Sequence, residues 1–139
     1  MIITQNYFDI EDATSQLAQE ILTSDVYKNY QEKKAAMLAD TSVLPLRQDF
    51  ESAKKSFDQI KEYGFHAPDY REKQAQVHKA KRALDMKTSV AEFRLAESDL
   101  QNLLDGITKT IASSISEDIL VDAGNPFFNE GKKGHHCNH

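Results

Sequence analysis

The side chains best suited to chemistry are crowded into the last five positions. His135, His136, Cys137 and His139 bring together three imidazoles and the chain's one thiol. Neutral imidazole and thiolate are ligands of zinc and other borderline metals. In an extended chain His135, Cys137 and His139 would project to one side. Against a dedicated site stands the spacing, which is tighter than that of a tetrahedral finger. A mobile terminus that takes up metal adventitiously accounts for the same residues.

Elsewhere the search for chemistry comes back empty. The chain has no glycine-rich phosphate loop, no H-E-x-x-H, no G-x-S-x-G and no CxxC. Its carboxylates alternate with Lys and Arg in the manner of solvated helix faces, and Glu51 and Lys55 stand at a favourable i,i+4 spacing. His66 falls in a loop and His78 among lysines, neither beside a nucleophile. Arg71, Lys79, Lys81 and Arg82 form a basic strip with two readings. One is the solvated side of a coiled coil; the other is a docking strip for an acidic partner or for RNA backbone. No aromatic residues interleave with these charges to stack bases, which argues against sequence-specific RNA reading.

The elements that must carry these residues are helices. Of the five glycines, Gly124, Gly131 and Gly134 lie near the end, so the first 123 residues are almost free of helix breakers. Apolar spacing predicts five helical segments and a tail. The first spans about Asp9, as N-cap, to Leu22, with Ile10, Ala13, Leu17, Ala18 and Ile21 inward. The second, capped by Ser24, covers Asp25 to about Ala39, with Val26, Tyr30, Met37 and Leu38 inward. The third opens at Thr41 or Ser42, accepts Pro45 in its first turn and stops near Tyr63 before Gly64.

Within the third segment Val43, Leu46, Phe50, Ala53, Phe57 and Ile60 follow at alternating spacings of three and four. That is the seam of helices packed at a shallow angle. Pro68 is expected at the first position of the fourth helix, which continues to about Leu84 over Tyr70, Val77, Ala80 and Leu84. The fifth begins near Asp85 or at Ser89, where Ser89 and Glu92 have capping-box spacing, and reaches about Leu120. Its stripe is Met86, Val90, Phe93, Leu100, Leu104, Ile107 and Ile111, with Glu97 in one slot and Ala96 beside it. Gly106 should cost that helix about 1 kcal/mol relative to Ala, so either a neighbour requires a small residue there or the helix bends.

A helix of thirty residues measures about 45 Å, and its stripe needs cover along its whole length. A second or related chain is the simplest source. The expected fold is all-α: an elongated antiparallel hairpin or bundle of about five helices that dimerises through its long C-terminal helix. Residues 1–123 form the helical domain, and 124–139 a G-N-P-F-F turn and flexible tail. The self-association contacts are Val90, Phe93, Leu100, Leu104, Ile107 and Ile111.

Charge and cysteine usage narrow the setting. The net charge of −5 opposes general nucleic-acid binding, yet Arg71–Arg94 holds seven Lys/Arg against three Asp/Glu. No basic segment followed by an apolar one opens the chain, and no apolar stretch approaches the length needed to span a bilayer. With a single cysteine, these features predict a cytoplasmic protein.

An ordered set of segments resembles the YlbF/YmcA family. It comprises His66-Ala67-Pro68-Asp69-Tyr70-Arg71-Glu72, Lys81-Arg82-Ala83-Leu84-Asp85, and Val90-Ala91-Glu92-Phe93-Arg94-Leu95-Ala96-Glu97. Leu100-Gln101-Asn102-Leu103-Leu104-Asp105 and the close, Ile115-Ser116 with Gly124-Asn125-Pro126-Phe127-Phe128, complete it. The close is similar to that of the YlbF branch. The resemblance implies an all-α regulator without catalytic residues. It also implies a complex with YmcA-like and YaaT-like partners that acts with the endoribonuclease RNase Y in competence, sporulation and biofilm control. Tails in that branch are often cysteine-rich and associated with iron–sulfur clusters. A cluster normally takes four thiolates, so Cys137, with a tail histidine, would supply only part of a shared set. No cofactor is required by this reading. Two further readings are a metal- or redox-responsive module built on the tail, and a purely structural helical homo-oligomer.

Overall fold

The computed structural model describes residues 4–121, which are helical apart from short connections and contain no strand. Five α-helices follow in order: α1 Gln5–Thr23, α2 Asp25–Ala39, α3 Val43–Lys61, α4 Tyr70–Asp85 and α5 Thr88–Ile115, with a 3₁₀ turn at Gly64–His66 between α3 and α4. The all-α expectation therefore holds. The G-N-P-F-F turn and the His135–His139 tail lie outside the described residues.

Helix boundaries show which local signals acted. Ser24 separates α1 from α2 as expected, and its hydroxyl accepts the Tyr27 N–H at 3.2 Å, a side-chain cap. Asp9, by contrast, is no N-cap. With no breaker upstream, α1 begins at Gln5, and Asp9 sits inside it, accepting from Gln5 Nε2 at 3.1 Å. Pro68 does not open α4 either. Pro68 holds Ala67 extended (ψ 136°), and Asp69 then adopts a left-handed φ of 63°, so helical geometry starts only at Tyr70. Helix α3 stops at Lys61, with Glu62 as its C-cap, short of the expected Tyr63, and Gly64, with φ +60°, begins the 3₁₀ turn beyond it.

The described chain divides into two compact units, one from Asn29–Leu95 and one from the described parts of Met1–Lys28 and Ala96–His139. In the first, α3 and α4 form a tight pair around the row foreseen from spacing. Val43, Leu46, Phe50, Ala53, Phe57 and Ile60 are all half-buried, as are Tyr70, Val77, Ala80 and Leu84 opposite. Phe57 and Tyr70 meet edge-on with centroids 5.1 Å apart, and Phe65 lies 5.0 Å from Tyr70. Contacts between the end of α3 and the start of α4 make the pair antiparallel. Each aromatic contact adds about 0.5–1.5 kcal/mol beyond the area it buries.

The start of α5 runs antiparallel to α2 in the same unit. Tyr30 meets Phe93 at 5.7 Å, Lys33 Nζ meets Glu92 Oε2 at 3.0 Å, and Asp40 meets Ser89. Leu38, expected inward, is 72% exposed, because α2 gives this face Met37, Lys33 and Tyr30 instead. Met86 is likewise exposed and falls in the two-residue link before α5.

In the second unit, Leu17 and Ile21 of α1 and Leu100, Leu103 and Ile107 of α5 are half-buried, while Ile10, Ile111 and Ile115 are exposed. Helix α5 stops at Ile115 rather than near Leu120, and Ser116 begins a turn whose hydroxyl accepts the Asp118 N–H. A Cβ at Gly106 would meet nothing within 4 Å, so no neighbour within this chain requires glycine there.

Candidate interaction surfaces

Three arrangements put functional side chains where another molecule can reach them or tie together the elements that present them. The first is the outer side of α4. Tyr70, Val77, Ala80 and Leu84 occupy its inner side, and helical spacing turns Arg71, Lys79 and Arg82 the other way. All three are exposed and take part in no ion pair among the described residues. Lys81 differs. Its Nζ lies 3.3 Å from Asp85 Oδ2, one turn on, and Asp85 Oδ1 lies 2.9 Å from Arg94 Nη2. Lys81 thus helps hold the α4–α5 corner, and the strip offered outward is Arg71, Lys79 and Arg82 with the exposed His78.

The second is the α5 stripe, which the structure divides. Val90 is 4% exposed and Ala96 1%, and they are the only buried hydrophobic residues among those described. Phe93 is half-buried against Tyr30. Val90 and Phe93 are therefore largely covered by their own chain. Farther along, Leu100 and Ile107 are half-buried, Leu104 is 38% exposed and Ile111 51%. The part of the expected seam left open is Leu104 and Ile111, extended by Ile115 at 73%.

The third is a polar clasp that spacing along the sequence did not show. Asp40 ends α2 and accepts from both the backbone N–H and the hydroxyl of Ser42, forming an Asx-type turn into α3. Its other oxygen accepts the Ser89 hydroxyl at 2.7 Å and lies 3.5 Å from Lys87 Nζ. The Ser42 hydroxyl, then the Ser89 hydroxyl, the Ser42 N–H and the Lys87 ammonium hold this carboxyl well below the usual carboxylate range. Ser89 therefore bonds across to Asp40 instead of building a capping box. Glu92 turns to Lys33, whose pKa it raises by hydrogen bonding and charge. Only the Asp-Thr-Ser half of this clasp had a local signature.

Among the described residues no group of His, Cys, Asp and Glu is arranged to hold a metal ion. No helix there is long and apolar enough to cross a membrane.

Known proteins match this chain across most of its length. The family described as control of competence regulator ComK, YlbF/YmcA, matches residues 10–116. The regulatory protein YlbF of Bacillus subtilis (strain 168) is 31% identical over 128 residues, covering 92% of this chain and 86% of that protein. A chain in the X-ray structure of Bacillus subtilis RicA in complex with RicF superposes with a TM-score of 0.73 at 30% identity, covering 79% of this chain and 96% of that one. Helices, interruptions and relatives thus agree, and the chain belongs to the YlbF/YmcA family of competence-control regulators.

Proposed function

We propose that this protein is a non-catalytic cytoplasmic adaptor of the YlbF type. It works in a complex with YmcA-like and YaaT-like proteins that directs RNase Y-dependent mRNA processing, and through it competence, sporulation and biofilm formation. One observation carries the adaptor reading. The chain matches a regulatory protein over 92% of its length, yet buries only Val90 and Ala96 among its described hydrophobic residues. Helices with so little covered apolar surface are suited to completing their packing against other chains. The complex of RicA with RicF is a protein–protein assembly built by a structural relative, which supports the same reading.

Two surfaces divide the work. Leu104, Ile107, Ile111 and Leu100, continuing the row from Val90 and Phe93, serve self-association. Arg71, Lys79 and Arg82, flanked by Lys81, guide an acidic partner surface, since such a strip speeds and orients association more than it adds affinity. The adaptor reading requires no cofactor; the alternative, a metal- or redox-responsive module, takes His135, His136, Cys137 and His139 as ligands of a metal or of a shared iron–sulfur group. Elemental analysis with and without residues 132–139 tests that alternative.

The deciding experiment is affinity capture from the native host with R71E/K79E/R82E. Lys81 is spared because a Glu there would face Asp85. Folding should be unchanged, since exposed charges contribute about 0–1 kcal/mol each. Capture of YmcA-like, YaaT-like or RNase Y partners should weaken, most of all at low salt. Full capture by the reversed protein at low salt would return the strip to an ordinary solvated face.

A further inference from the structure

The charges of α1 and α4 are mirror images. Helix α1 carries Asp9, Glu11, Asp12 and Glu20 and no Lys or Arg, whereas α4 carries five Lys/Arg against Glu72 and Asp85. Asp9, Asp12 and Glu20 fall at helical spacing on one side of α1 and are exposed, as are Arg71, Lys79 and Arg82 on α4. Asp9 to Glu20 and Arg71 to Arg82 are both steps of eleven residues, each roughly 16 Å of helix. Neither set enters an ion pair among the described residues.

We propose that the acidic stripe of α1 in one copy docks on the basic stripe of α4 in a second copy. This rests on reading the α4 strip as a contact surface, and it names the occupant. Every molecule carries both halves, of equal length and opposite sign, so the contact can close reciprocally between two copies or be repeated from chain to chain. It differs in kind from association through the apolar α5 residues. Exposed charge pairs act over about 30 Å at ~0.01 M ionic strength and about 3 Å at ~1 M, whereas apolar burial is not screened by salt. The α1–α4 contact is therefore the salt-labile layer of assembly.

Sedimentation velocity on the purified chain tests this with no other protein present. Wild type should form larger species at ~0.01 M than at ~1 M salt. D9K/D12K/E20K and R71E/K79E/R82E should each lose that salt-dependent fraction, with association at least about tenfold weaker at low salt. Mixing the two variants should restore it, because the reversed α1 of one then faces the reversed α4 of the other. Circular dichroism checks that each stays helical, and if D9K/D12K/E20K does not, D9N/D12N/E20Q replaces it with the same loss expected. The proposal is overturned if wild type shows no salt-dependent association, if the folded variants retain it, or if the mixture fails to recover it. Loss of partner capture by R71E/K79E/R82E with self-association unchanged would overturn this contact and leave the adaptor reading standing.

Discussion

Asp40 joins two turns that lie far apart in the sequence. Its bonds to Ser42 are local and could be anticipated from Asp-Thr-Ser before a helix. Its bond to Ser89 spans 49 residues, and Ser89 with Glu92 imitated a capping box so well that the cross-link stayed hidden. The donors around Asp40 make the native state a poorer proton acceptor than the unfolded chain. Their stabilising effect is complete above the ordinary carboxyl value of 3.8 and is lost as the pH falls from there toward the lower native value. Asp40→Asn removes the titrating group. Its urea midpoint should consequently drop less than that of wild type between about pH 6 and pH 3; equal drops would show that Asp40 does not govern acid stability.

Among the helices, α3 was the most legible, because its six seam residues repeat at a spacing that needs no knowledge of the partner helix. All six are half-buried in the structure. Helix α5 was legible only as a stripe. Which part the chain covers itself depends on where α2 lies, and periodicity does not encode that. Tyr30 reaches Phe93, for instance, while Ile111 is left half in solvent. Ile111→Lys is therefore the informative substitution. Its exposure lets the single chain fold with Lys there, whereas an interface would lose an apolar contact of ~2 kcal/mol, about thirtyfold in dissociation constant. Light scattering at micromolar concentration should give more than one chain's mass for wild type and a lower mass for the variant. Matching masses for the two would remove Ile111 from the interface.

At the scale of the whole molecule, helical content followed from the scarcity of glycine and proline, and the family from segments in the right order. The division at Lys28/Asn29 and Leu95/Ala96 was not legible. Both α2 and α5 pass through it without a break, so no glycine, proline or polar linker marks the place. So little is buried among the described residues that association should supply much of the stability. A protein stabilised by binding its own copies melts at a temperature that rises with concentration. Calorimetry over a hundredfold range of concentration should show that rise; a constant melting temperature would mean the described helices hold together unaided.

The clasp also orders events in time. The α3–α4 hairpin needs only a short loop to close, whereas Ser89–Asp40 and Lys33–Glu92 close spans of 49 and 59 residues. Chain entropy opposes the longer closures more, so local contacts should form on the way to the transition state and the clasp after it. Stopped-flow measurements can separate the two. Val77→Ala in the hairpin should slow refolding, while Ser89→Ala should leave refolding near the wild-type rate and speed unfolding. If Ser89→Ala slowed refolding as much as Val77→Ala, the clasp would belong to the folding nucleus. With the expected order, Asp40 acts as a latch, closing last on a hairpin already formed and opening first when the protein unfolds.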